Sequence, residues 1–280
     1  MTIYISALAR RRPEIAYAYY EACLKFFGLI VVAALIGLLI DPSGALTPPV
    51  SDKAIETFGE PVVPYQLYSN AIIVVNPNSL GAMGAILTYV YGVRWLGGER
   101  GLKAGCWLLA CLVVFLLAQS RTAWIGFSVA LTWYVLFSKS LTRRQRCLLG
   151  FGVLAVVVAG SGFFAAYWTR NQGVEQLQGM SGRALWWLIA WSRFQESSFD
   201  EQLVGLGFMT ANRTIVSEAI GYSVSSLHSD YADALISSGY LGLGFLIAFI
   251  LSGFFRLFAL RKARTGLVAE LFGVCLILLV

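Results

Sequence analysis

The chain is 280 residues long, 58% hydrophobic and only 13% charged, with a mean hydropathy of +0.71. A soluble domain carries roughly 25% charged residues, so the shortfall excludes soluble domains in series. It implies an all-α, polytopic transmembrane helix bundle forming a single membrane domain over residues 1–280. The formal net charge of +6 does not signal nucleic acid, because the basic residues sit in short clusters between apolar runs, as topology signals do.

Cys23, Cys106, Cys111, Cys147 and Cys275 all lie in or beside apolar runs. Their spacing matches no zinc pattern and no disulfide framework, and buried cysteine behaves as a small hydrophobe. At the N-terminus, Arg10-Arg11-Arg12 is followed by Pro13 and a mixed segment, which does not read as a cleavable signal.

A bilayer core takes about 20 apolar residues in a helix. The first run is Leu24 to Ile40, stopped by Asp41-Pro42. Residues 41–69 hold five of the seven prolines and read as an extramembrane loop. Further runs are Ala71 to Trp95, interrupted by Asn76-Pro77-Asn78, then Ala104 to Ala118, Trp124 to Phe137 and Cys147 to Trp168. Beyond a long polar segment come Tyr231 to Phe255 and Gly266 to Val280. The expectation is therefore seven spans, the third and fourth short. The last run has 15 residues and no polar tail, which reads as part of a longer protein or a naturally short one.

Lys and Arg set the orientation. With the N-terminus in the cytoplasm, fourteen fall on inner loops and six on outer ones, leaving aside Lys25 at a membrane edge. Residues 169–230 then form one large extracytoplasmic loop, carrying much of the candidate chemistry.

Three positions stand out on that outer side. Arg121, in Gln119-Ser120-Arg121-Thr122, lies at the end of a tight hairpin between two apolar runs. An arginine at membrane depth costs about 2.5–3.5 kcal/mol and is kept for pairing, although an interfacial arginine snorkelling to headgroups reads the same way. Arg183 follows Ser181-Gly182, and the apolar spacing after it predicts a helix beginning near Ser181, with Ser181 as N-cap. A guanidinium beside a helix N-terminus suits a phosphate. The alternative is an amphipathic helix on the membrane, anchored by Trp186, Trp187 and Trp191. His228 is the only histidine in the chain, placed just ahead of a span with Asp230 and Asp233 close behind. Imidazole suits general-base work and a neighbouring carboxylate can fix its tautomer. One His with two Asp is a poor metal set, so no metal and no cofactor are expected.

The pattern His228-Ser229, nine residues, Gly239, two residues, Gly242 resembles the signature of the O-antigen ligase and O-antigen polymerase superfamily of bacterial membrane glycosyltransferases. Asn76-Pro77-Asn78 resembles that family's stretch opening a membrane helix, Ser120-Arg121 its membrane-edge pair, and Ser181-Gly182-Arg183 with Trp186, then Gly205-Leu206-Gly207, its large outer loop. The resemblance covers about residues 70 to 260. It departs at Trp187, where ligases often carry leucine four residues after the arginine, and in the number of spans, which is usually ten or more.

The resemblance implies a multi-pass protein of the bacterial inner membrane whose site faces the periplasm or cell exterior. It implies an undecaprenyl-diphosphate-linked glycan as donor and a glycan or lipid A core as acceptor. Arg121 and Arg183 would neutralise charge on the leaving diphosphate. His228 would take the acceptor's proton in an inverting, metal-independent transfer, with Asp230 and Asp233 as further substrate-binding candidates. Polymerase and ligase are not separated by these residues. The other class considered is a transporter or flippase-like protein for an anionic lipid-linked substrate. That class predicts internal symmetry and polar groups at the membrane midplane, whereas the spans read as nearly free of ionisable residues.

Overall fold

The computed structural model describes residues 13–46, 67, 72–73, 75–138, 141–159, 183–208, 210–221, 227, 229–260 and 266–278. Among these there are helices and no strand. The chain divides into two compact units. One comprises residues 1–51, 63–168 and 260–280, the other 52–62 and 169–259.

The first unit is built on α1 (Pro13–Ile40), α2 (Pro42–Leu46), α3 (Pro77–Leu96), α4 (Leu102–Ala118), α5 (Arg121–Phe137) and α6 (Arg143–Ala159), closed by the last helix of the chain (Gly266–Leu278). α3 is its axis. It packs against α1, α4, α5 and the last helix, and residues 84–90 are buried without a break. Gly81, Gly84 and Ala85 lie in its buried surface, where small residues let helix backbones approach closely. Aromatic contacts fill the seams: Phe115 lies 4.6 Å from Trp124, and Trp133 stacks on Phe272 at 4.2 Å.

The start of α3 shows how a helix is set at a membrane edge. The apolar run from Ala71 does not enter the helix until Pro77. Asn76 is extended and caps it, accepting a bond from the Asn78 N–H at 2.8 Å. Proline suits the first helical position because its missing N–H would be unpaired there and its φ is already helical. The hairpin between α4 and α5 follows the same logic. Gln119 turns the chain with φ 50°, and buried Ser120 caps α5 by accepting the Ala123 N–H.

The second unit contains α7 (Arg183–Gln195), α8 (Phe199–Val204), a π-helical turn (Ala211–Val216), α9 (Ser217–Ile220) and α10 (Asp230–Leu260). Where the sequence reads as a polar loop, this unit has its own apolar core. Trp186, Ala190 and Phe194 recur at four-residue spacing on α7, which puts them on one helical face, and they pack with Val216, Leu227 and Ile236. Trp186 is therefore a core residue and not a membrane anchor, while Trp191 stays exposed. The predicted helix begins at Arg183. The proposed cap, Ser181, lies outside the described residues.

Among the described residues, part of each of the seven apolar runs lies on a helix, and two helices are both long and apolar enough to cross a bilayer, over Tyr17–Ile40 and Asp230–Arg256. Their large hydrophobic side chains are outward-facing, Leu39 at 81% exposure and Phe245 at 74%, as lipid contact requires. The run from Tyr231 to Phe255 is not one continuous rod. Gly239 adopts φ 65° and ψ −167° inside α10, so a short arm, 230–238, meets a second arm, 240–260. At 1.5 Å per residue that second arm is about 32 Å long, close to the bilayer core of about 30 Å.

Glu270 falls inside the last apolar run, and in the first unit it joins a charged cluster with Arg94, at the end of its run, and Glu21, ahead of the first run. Arg94 makes a two-pronged contact to Glu270, 3.0 Å from Nε to Oε1 and 3.0 Å from Nη2 to Oε2, and its Nη2 also reaches Glu21 Oε1. The Tyr20 hydroxyl donates to Glu270 Oε2 at 3.2 Å. These charges were not visible in sequence as a group because they come from α1, α3 and the last helix. Arg94 is in the last turn of α3, so the cluster ties that helix end to α1 and the last helix.

Candidate functional site

The second unit holds Arg183 and the residues on both sides of His228; Arg121 belongs to the first unit and is half-buried there, at the first position of α5. His228 itself lies outside the described residues, as does the Arg183 side chain. Their backbone neighbours define the site.

The segment after Leu227 is held at three points. Leu227 is fully buried, and its carbonyl oxygen accepts a bond from the Trp187 indole Nε1 at 2.9 Å. Ser229 begins α10: its hydroxyl accepts from the Ala232 N–H at 3.3 Å and its carbonyl from the Asp233 N–H at 2.9 Å. At the far end of the arm, the Leu206 N–H donates to Ile236 O at 2.8 Å and the Gly207 N–H to Ser237 O at 3.2 Å. A helix break leaves carbonyls of its last turn without partners from the next one, and the Gly205-Leu206-Gly207 loop supplies them.

Two glycines make that junction possible. Gly205 (φ 90°, ψ 169°) and Gly239 (φ 65°, ψ −167°) both occupy a backbone region that only glycine adopts. Each also faces the other's segment. A methyl on Gly205 would run into the backbone of Ser237 and Ser238, and one on Gly239 into the carbonyls of Leu203 and Gln202. The loop is delivered by α8, whose start is a reciprocal Ser198–Glu201 capping box. The Ser198 N–H bound to its carboxylate, with the Ser198 hydroxyl, holds Glu201 below the usual carboxyl range. We expect Gly239→Ala to lose at least the strain of that conformation, about 1–3 kcal/mol, plus the clash. Gly244→Ala, where nothing lies within 4 Å, should be tolerated. Thermal unfolding of the two purified variants in detergent, followed by tryptophan fluorescence, checks this; equal melting would mean the junction is loose.

Asp230 and Asp233 fall in the first turn of α10, Asp230 exposed and Asp233 half-buried. Carboxylates there are favoured by the helix dipole, which gives both a structural role beside the substrate-binding one expected of them. A cleft of about 320 Å³ opens between α7 and the short arm, walled by Trp187, Trp191, Tyr231, Leu235 and Leu243 and reaching Ser229.

The family model described as O-antigen ligase matches residues 105–247, slightly more than half of the chain. The chain belongs to the O-antigen ligase family. Among curated proteins and among solved structures, none matches it. The matched stretch of this O-antigen ligase family member includes Arg121, Arg183, Gly205, His228, Gly239 and Gly242; Asn76-Pro77-Asn78 lies before it. Membership makes this a membrane protein of glycosyltransferase type in surface-polysaccharide ligation or polymerisation, working on lipid-linked glycan and acceptor substrates.

In this family member the sequence pattern marked Gly205, Gly207, Gly239 and Gly242 as a motif without giving their purpose. The interlock of Gly205 with Gly239 depends on backbones more than thirty positions apart, and Gly242 takes no part in it. Trp187 registered in the sequence as a possible membrane anchor and as a departure from leucine. Its indole N–H is the part that leucine lacks.

Proposed function

We propose that this protein transfers a glycan from an undecaprenyl diphosphate carrier to an acceptor hydroxyl at the outer face of the bacterial inner membrane. The acceptor oxygen attacks the anomeric carbon and inverts it. The bond from that carbon to the diphosphate oxygen breaks, and the acceptor's proton passes to His228. Undecaprenyl diphosphate leaves with its charge met by the Arg183 guanidinium, whose planar fork suits phosphate oxygens. By the family resemblance Arg121 is a second cation for the same charge. Asp230 and Asp233 lie two and five positions beyond His228, in the first turn of α10, and contribute to substrate binding. The donor linkage supplies the driving force, so the proposal needs neither a metal nor ATP.

The observation that carries this reading is the family match over residues 105–247, which contains all three proposed catalytic positions. The anchoring of the His228 segment supports it, because a base must be held within hydrogen-bond reach of its proton. The transporter reading asks for polar groups at midplane. The buried Glu21–Arg94–Glu270 cluster sits at a helix end and its charges are paired with one another, which fits a clamp better than a transit site.

The test is transfer by the purified protein in proteoliposomes containing an undecaprenyl-diphosphate-linked oligosaccharide. A second lipid-linked repeat or lipid A core is offered in turn, with EDTA present. The expected result is a longer or transferred glycan and released undecaprenyl diphosphate with one of the two acceptors. Release with neither acceptor, alongside protein-dependent movement of the lipid-linked donor between leaflets, would favour the transporter instead.

A further inference from the structure

We infer that Trp187 is a positioning residue for the transfer proposed above, its indole N–H tying the Leu227 carbonyl, one residue ahead of His228 in the chain, to the helix that begins with Arg183. The inference rests on that functional reading and adds a residue to it.

The geometry is local and lies within one unit. Trp187 Nε1 donates to the Leu227 carbonyl at 2.9 Å. Leu227 and Ser229 are the residues on either side of His228 in the chain, and consecutive α-carbons are about 3.8 Å apart, so a shift of either neighbour reaches the histidine. Leu227 is held by burial and by the tryptophan, and Ser229 by its place at the start of α10. On the other side, Trp187 is four positions after Arg183. That spacing is about 6 Å along the axis and brings both positions to the same helical face. A single hydrogen bond thus joins the helical face carrying one proposed catalytic residue to the peptide next to the other. The far end of the short arm is fixed independently, by the Leu206 and Gly207 N–H groups on Ile236 and Ser237. Removing the tryptophan bond would leave the arm attached at its distal end and free to shift at the end that carries the histidine.

Leucine at this position would pack in the same place but could not donate. The indole therefore has a specific task that the apolar volume alone does not explain. A shift of about 1 Å in a catalytic group can cost about 10²-fold in rate, so loss of the bond should be read mainly in turnover.

The experiment compares Trp187→Phe, which keeps a ring and removes the donor, with Leu188→Ala, an exposed position on the same helix that does not line the cleft. Both are measured alone and Trp187→Phe also in a His228→Ala background. The assay is release of undecaprenyl diphosphate from a radiolabelled lipid-linked oligosaccharide, normalised to monodisperse folded protein. Expected for Trp187→Phe is a kcat lower by about 10–100-fold with KM for the lipid-linked donor within about threefold; Leu188→Ala stays near parental. In the His228→Ala background the same substitution should cost under about threefold, because a group that acts through the histidine has nothing left to position. If that background falls below detection, the cycle is run with Arg183→Lys. Parental turnover in Trp187→Phe, or the same loss in both backgrounds, would overturn the positioning role while leaving the transferase reading intact. Parental turnover in His228→Ala would instead remove the functional reading on which the role depends.

Discussion

Arg94→Ala should be the most destabilising single change in the first unit, by about 3–5 kcal/mol, the cost of stripping the partner from buried charges. The Arg94 and Glu270 side chains are only 13% and 8% exposed, and Glu21 is 23% exposed. Removing the guanidinium would leave the Glu21 and Glu270 carboxylates without their shared cation, with the Tyr20 hydroxyl on Glu270 and Lys25 near Glu21 among the remaining company. Arg94→Lys should recover part of the loss, since an ammonium restores the charge but not the two-pronged fit to Glu270. The informative comparison is Arg94→Met combined with Glu21→Gln and Glu270→Gln. Replacing a whole buried charge cluster by neutral groups is often close to neutral, so the triple variant should melt nearer the parent than Arg94→Ala does. Thermal unfolding in detergent measures all three. A loss under about 1 kcal/mol for Arg94→Ala would put the cluster in the class of solvated surface pairs, whose median worth is about 0–1 kcal/mol.

That cluster also shows where sequence reading stops. Hydropathy located the long helices among the described residues because apolar runs are a property of consecutive residues. The Asn76 and Ser120 caps are equally local chemistry, but the sequence showed Asn76-Pro77-Asn78 as a helix opening only through the family resemblance and Ser120 not as a cap at all. Glu21, Arg94 and Glu270 are each unremarkable in their own runs, and only packing of α1, α3 and the last helix reveals that they form one group. The second unit has the same division. Trp186, Ala190 and Phe194 announce an amphipathic helix by their spacing, but whether the stripe meets lipid or protein depends on Val216, Leu227 and Ile236 coming to cover it. The break in α10 was concealed by composition: glycine is common in membrane helices, and the histidine–glycine spacing that singled out Gly239 gave no sign that the helix breaks there, which the backbone of Gly239 against Gly205's segment shows. For the site, the histidine, arginine and glycine spacing pointed to the right family, and the tryptophan that holds Leu227 could be found only from coordinates.

The largest expected effect on activity belongs to His228→Ala. General-base catalysis contributes about 10²–10⁴ in rate, so the variant should insert and fold normally yet release undecaprenyl diphosphate more slowly by about that factor. Folding should survive because the neighbouring anchors are Leu227, Ser229, Trp187 and the Leu206–Gly207 amides, none of which uses the imidazole. In the parent, turnover should rise with pH through one ionisation in the imidazole range and then level off, since only the neutral ring can accept the acceptor's proton. That rise should vanish in His228→Ala. Asp230 and Asp233 are the competing bases, and their place in the first turn of α10 predicts a different outcome for them. Asp230→Asn and Asp233→Asn should weaken the helix start by about 0.3–1 kcal/mol and leave the pH dependence where it was. Near-parental turnover in His228→Ala with abolition in Asp233→Asn would move the base one turn along α10, to a half-buried carboxylate on the same arm. Retained activity in all three would leave the arginines and the family match as the support for a transferase, with the proton taken by the substrate's own diphosphate or by water.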